Sequence, residues 1–87
     1  MSYVVREVQS TPNPNAMKWV LDRTISPTPL SFRSAVDADA HPVAKALMAL
    51  KGVSAVLLLN DFVTINKSPE ARWAEIKTKA NRILAAG

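Results

Sequence analysis

The spacing of apolar residues changes period along this chain, and that change limits the fold more than any other feature. From Ala16 to Leu21, Met17, Trp19 and Leu21 alternate with Lys18 and Val20, the period of two that a strand with one buried face requires. From Pro42 the period lengthens. Val43, Ala46, Leu47 and Leu50 fall at i, i+3, i+4 and i+7, the stripe of an amphipathic helix of about three turns. The same spacing returns near the end, where Trp73, Ile76, Ala80, Ile83 and Leu84 share one helical face and Arg72, Glu75, Lys79 and Arg82 another. Strands and helices must therefore share one core.

The segments between them complete the count. Tyr3 to Gln9 is rich in β-branched and aromatic residues and is followed by Ser10-Thr11-Pro12-Asn13-Pro14-Asn15. Each proline fixes its own φ and pushes the residue before it towards an extended conformation, which predicts a stiff loop joining two strands in a hairpin-like pair. Pro27 and Pro29 exclude a helix in the next stretch, and Leu30-Ser31-Phe32-Arg33 alternates as a short third strand. Val53 to Leu59 and Phe62 to Lys67 are strand-sized and separated by Asn60-Asp61, where Asn tolerates the left-handed conformation of a tight turn. The first of these is nearly all apolar, which predicts either a central strand covered on both faces or a surface kept for a partner. Caps follow the same logic. Asp39 or His41 starts the first helix, with Pro42 as first helical residue in the second case, and Gly52 ends it. Ser68 caps the second, with Pro69 and Glu70 in its first turn.

The predicted order is strand, strand, short strand, helix, strand, strand, helix. Hairpin connections imply a mainly antiparallel sheet of four to five strands with both helices packed on one face, an α+β two-layer sandwich. No linker, repeat or low-complexity tract divides the 87 residues, so residues 1–87 are expected to form one domain. The aromatic set Trp19, Phe62 and Trp73 is expected in its core.

The missing residue types restrict the chemistry. With no Cys, the chain offers no thiolate nucleophile, no tetrathiolate zinc site and no cysteine ligands for an iron–sulfur cluster. One histidine, His41, cannot make a two-histidine metal site, and two glycines cannot build a phosphate-cradling loop. No serine stands in a Gly-x-Ser-x-Gly turn, and the catalytic arrangement weighed is a pairing of His41 with Asp37 or Asp39 in space. The expectation is a non-enzymatic domain with no catalytic residue, cofactor or metal of its own. No apolar stretch approaches the roughly eighteen residues of a membrane helix, and the N-terminal residues lack an export-signal pattern, so a cytoplasmic location is expected.

Net charge is +4, and its excess lies late in the chain: residues 67–87 hold five basic side chains against two acidic ones. This field suits an acidic protein, nucleic acid or anionic surface. No RNA-recognition signature, zinc finger or helix-turn-helix accompanies it, which leaves nucleic-acid or anion binding through the closing helix as the alternative function.

Three segments together resemble one family. Thr11-Pro12-Asn13-Pro14-Asn15-Ala16-Met17-Lys18-Trp19 is similar to the Thr-Pro-Asn-Pro-Asn-Ala-Leu-Lys-Phe opening of the N-terminal domain of Nfu-type, NifU-like iron–sulfur scaffold proteins. His41-Pro42-Val43-Ala44-Lys45-Ala46-Leu47 parallels that domain's Ser-Pro-Leu-Ala helix start. Gly52-Val53 and Asp61-Phe62-Val63-Thr64-Ile65-Asn66-Lys67 parallel its Gly-Val and Asp-Phe-Ile-Thr-Val-x-Lys hairpin, and Trp73 with Ile76-Lys77 fits the closing helix. The resemblance covers nearly the whole chain. It implies an α+β domain normally joined to a second one whose Cys-x-x-Cys motif holds a cluster between subunits. These residues contain no such motif, so what the resemblance implies here is an accessory role: binding an assembly factor or apoprotein. The candidate partner-binding residues are Pro12, Asn13, Pro14, Asn15, Lys18 and Lys67, because a stiff loop presents amide groups beside ammonium groups at little entropic cost.

Overall fold

The computed structural model describes residues 3–34 and 36–86. The elements are β1 (Val5–Ser10), β2 (Ala16–Leu21), β3 (Ser26–Phe32), α1 (Pro42–Met48), β4 (Val53–Asn60), β5 (Phe62–Lys67) and α2 (Trp73–Ala86). They form one antiparallel sheet in the order β1-β2-β5-β4-β3. Both helices cover the face that carries Trp19, Leu21, Val56, Leu58, Val63 and Ile65, each at most 1% exposed. Val43, Ala44, Leu47 and Met48 of α1 and Ile76, Ala80 and Leu84 of α2 close that core. The α+β architecture and element order agree with the sequence reading.

Two local features set the order of strands. Asn60 adopts φ 52° between paired Leu59 and Phe62, the left-handed conformation expected of it. The β2–β3 connection then crosses this hairpin tip: the Leu21 amide donates to the Asp61 carbonyl at 2.7 Å and the Ile25 amide to the Asn60 carbonyl at 2.7 Å. That crossing carries β3 to the far side of β4. As an edge strand, β3 tolerates Pro27 and Pro29, whose missing amides sit where pairing with β4 is irregular. It starts at Ser26, four residues before the strand expected from the alternation.

Several expectations need correction. α1 ends at Met48 with Ala49 as cap, so the helix stops short of Leu50, and its buried stripe is Val43, Ala44, Leu47 and Met48. Gly52, at φ 93°, serves the turn into β4 instead of ending the helix. Ser68 does not cap α2. Its amide and hydroxyl both donate to the Gly52 carbonyl, at 2.8 and 3.3 Å, and the Ala71 amide closes a turn on the Ser68 carbonyl. The helix therefore begins only at Trp73. β4 is interior, paired with both β5 and β3, but it is covered on one face only; Leu57 and Leu59 stand half-buried on the other, paired with Thr64 and Phe62. Of the three aromatics expected in the core, only Trp19 is fully buried. Phe62 lies on the open face and Trp73 is half-buried at the start of α2.

Candidate functional site

The Pro-Asn loop is held by its own side chains. The Thr11 hydroxyl lies 2.9 Å from the carbonyls of both Asn13 and Ala16 and accepts from the Asn13 amide at 3.2 Å. The Asn13 side-chain oxygen accepts from the Asn15 amide at 2.9 Å, an Asx turn, and the Ala16 amide donates to the Asn13 carbonyl at 3.0 Å. Pro12 and Pro14 supply no amide that would need a partner. A loop satisfied in this way can leave Pro12, Asn13 and Pro14 exposed without fraying.

Two further residues fasten it to the rest of the domain. At the end of β5, the Lys67 backbone amide donates to the Asn15 carbonyl at 2.8 Å, and its ammonium donates to Asn15 Oδ1 at 3.0 Å and to the Ser68 carbonyl at 3.4 Å. At the start of α2, Trp73 Nε1 donates to the Pro14 carbonyl at 3.0 Å. The Trp73 ring stands 5.7 Å from the Lys67 ammonium and 6.0 Å from the buried Trp19 ring, whose own Nε1 donates to Asn81 Oδ1 at 2.8 Å. Sequence reading did not find the part of Trp73 in this group. The signal available was its place six residues after Lys67, just inside a helix start.

The structure brings Asn15, Pro14 and Lys67 together, with Pro12 and Asn13 in the same loop. It places Lys18 elsewhere. Lys18 pairs with Thr64, one residue out of phase with buried Ile65, so it faces the open side of the sheet, while Lys67 shares the parity of Ile65 and lies on the helix side. The Lys18 ammonium sits 4.2 Å from the centre of the Phe62 ring. Beside it on that open face are Val20, Leu57 and Leu59.

Other candidate chemistry is committed to structure. His41 Nδ1 accepts from the Ala44 amide at 3.3 Å as the cap of α1, and Asp39 pairs with Lys45 at 2.7 Å. Neither forms a catalytic pair with the other. Among the described residues no three His, Cys, Asp or Glu side chains gather as metal ligands, and with no thiolate available the donor set does not fit an iron–sulfur cluster. The cleft of about 420 Å³ beside Gly52 is lined by Lys51 and Arg72 but equally by Glu70 and Glu75, a balanced set. Lys79 and Arg82 lie on the exposed side of α2, with Arg72 just before its start; Phe62 is on the far side of the sheet, and the indole N–H of Trp73 is taken by Pro14. No helix of the described residues is long and apolar enough to cross a membrane.

The fold has counterparts in known proteins. Protein SAV1430 of Staphylococcus aureus, solved by crystallography, superposes with a TM-score of 0.79 at 23% identity, over 95% of this chain and 98% of that one. A NifU-like protein from Saccharomyces cerevisiae, solved by NMR, superposes with a TM-score of 0.78 at 24% identity, over 95% of this chain and 77% of that one. In sequence, the chain is 32% identical over 80 residues to the NFU1 iron-sulfur cluster scaffold homolog, mitochondrial, of Drosophila persimilis, covering 90% of this chain and 28% of that protein. The counterpart in Drosophila grimshawi gives 32% identity, 90% and 27%. The chain thus spans little more than a quarter of the length of these curated relatives. The family described as scaffold protein Nfu/NifU, N terminal, matches residues 5–86. With that match running from β1 to the last turn of α2, and the Pro-Asn loop and the Asp-Phe hairpin inside it, this chain belongs to the Nfu/NifU N-terminal scaffold family.

Proposed function

We propose that the domain is a non-catalytic, protein-binding accessory module of iron–sulfur cluster assembly or delivery, acting in the cytoplasm. The contact surface we assign is Pro12, Asn13, Pro14 and Asn15 with Lys67. Lys18, on the opposite face of the sheet, belongs to a separate surface with Phe62. The observation that carries the reading is the loop itself: it is exposed, yet its backbone is tied internally by Thr11 and Asn13 and externally by Lys67 and Trp73. A surface loop fixed before binding loses little conformational entropy when it meets a partner. Family membership supports the pathway, since relatives matched over this domain are iron–sulfur cluster scaffold homologs by name. The absent thiolates support binding in place of cluster holding or catalysis.

The test is genetic. Cells deleted for this gene and grown with limiting iron should lose activity of iron–sulfur enzymes. The parent chain should restore it, and an Asn13→Ala/Pro14→Ala variant of matched melting temperature should not. Undiminished iron–sulfur enzyme activities in the deleted cells under iron limitation and oxidative stress reject the role.

A further inference from the structure

From the same loop we infer that the module recognises a carboxylate on an acidic segment of its protein partner, through the Lys67 ammonium and the Asn15 side-chain amide acting together. The inference rests on the interaction role proposed above and names its chemistry. A lysine ammonium has three hydrogens and accepts nothing. Two of the three here point at neutral oxygens, Asn15 Oδ1 at 3.0 Å and the Ser68 carbonyl at 3.4 Å. The ion pairs among the described residues are Arg23 with Asp22 and Lys45 with Asp39, so no described carboxylate pairs with Lys67. The half-buried ammonium has neutral oxygens and the Trp73 ring as its partners and keeps its charge available to an anion.

The lysine also orients its neighbour. Because the ammonium only donates, the atom of Asn15 that meets it must be the amide oxygen, which turns Nδ2 and its two hydrogens away from the ammonium. Among the described residues neither Nδ2 nor the third ammonium hydrogen has an acceptor. Nδ2 is bonded to the same carbon as the oxygen that Lys67 holds, so a charged donor and a neutral one share one frame, each without an acceptor among the described residues. That is the complement of a single carboxylate. The frame is rigid because the Lys67 and Asn15 backbones are bonded to each other and Trp73 holds Pro14. The exposed Pro14 and the half-buried Trp73 ring lie beside the donors and offer apolar surface suited to a peptide. A nucleic-acid backbone would call for a row of cations with an open stacking ring. The ring nearest these donors has Lys67 on one side and Trp19 on another.

The test uses the whole chain, nitrogen–proton correlation spectra, and three probes: acetyl-Gly-Leu-Glu-Glu-Leu-Gly-amide, its Gln counterpart and a single-stranded oligonucleotide. The Glu peptide should move the Asn15 Nδ2 and Trp73 Nε1 signals. The Gln peptide, and the Glu peptide against Lys67→Met, should bind about tenfold to a hundredfold more weakly, the loss of one charge-assisted bond. Asn15→Asp provides a second variant in which the chain's own carboxylate fills the place beside Lys67. It should keep its melting temperature and lose the peptide. Equal response to the Gln peptide, undiminished binding by Lys67→Met or Asn15→Asp, movement of the same signals at lower oligonucleotide concentration, or no movement at millimolar Glu peptide each overturns the inference. Failure here, with the loop variant still unable to restore iron–sulfur enzymes in cells, removes the carboxylate and leaves the interaction role standing.

Discussion

Gly52 is the position where a single methyl group should do the most damage. It holds φ 93°, and a Cβ there would stand 2.6 Å from the Ala71 Cβ, with the Ile76 methyl 3.8 Å away. The left-handed backbone costs a non-glycine residue about 1–2 kcal/mol. The clash cannot be relieved by rotating a side chain, because Ala71 has none to rotate; the 68–71 turn must shift, against Ser68 bonds to the Gly52 carbonyl. Overpacking of this kind costs about 1–3 kcal/mol, giving a total of about 2–5 kcal/mol for Gly52→Ala. A domain of 87 residues has roughly 4–13 kcal/mol of stability to lose. The melting temperature should fall by at least about 8 °C.

Urea unfolding followed by tryptophan fluorescence measures this, since Trp19 is fully buried and reports the core. Ala71→Gly in the Gly52→Ala background removes the contact and leaves the backbone penalty, so it should recover about 1–3 kcal/mol, the steric share. In a double-mutant cycle the two substitutions should couple favourably by more than the roughly 0.5 kcal/mol that independent sites show. A Gly52→Ala chain within about 1 kcal/mol of the parent, or a strictly additive cycle, would refute the argument that the turn is clamped here.

Asp22 makes stability depend on pH. Its Oδ1 accepts from the Val4 amide at 2.9 Å, and that bond, helped by Arg23, holds its carboxyl below the usual range despite some opposing desolvation. A group whose folded-state pKa is depressed contributes fully above its unfolded value, near about 3.9, and loses the contribution as pH falls through the folded one. Asp22→Asn keeps an acceptor for Val4 but not the titration, so below about pH 4 the urea midpoint of the parent should fall relative to that of the variant; parallel pH profiles contradict the assignment. Asn60, at φ 52°, tests the hairpin tip: Asn60→Val should cost about 1–2 kcal/mol. Asn60→Gly should be near neutral by the same denaturation assay, and equal stability of the Val and Gly chains contradicts the left-handed turn.

Periodicity, residue type and turn signals were enough to read four to five strands, two helices and their order, because alternation along β2 and the i, i+3, i+4 stripe of α2 are properties of neighbouring residues. Backbone chemistry was legible for the same reason: Asn60 and Gly52 are where the chain turns left-handed. The Pro-Asn loop could be read as stiff, since proline restricts itself and the residue before it. What no local pattern contains is where distant segments meet. The passage of β2 into β3 across the Asn60-Asp61 tip put β5, not β4, at the centre of the sheet, and that choice left Leu57, Leu59 and Phe62 on an open face. The Gly52–Ser68 bonds spent the hydroxyl that local rules assign to a helix cap and moved the start of α2 to Trp73. That displacement brought Trp73 to Pro14, across 59 residues of sequence, and strand register sent Lys67 to Asn15 while turning Lys18 to the other side. The sequence determined which segments pair hydrophobically and where they bend, because those depend on residues a few positions apart. Tertiary contacts alone decided which donors share a site, because one residue of register reverses the face on which a side chain stands.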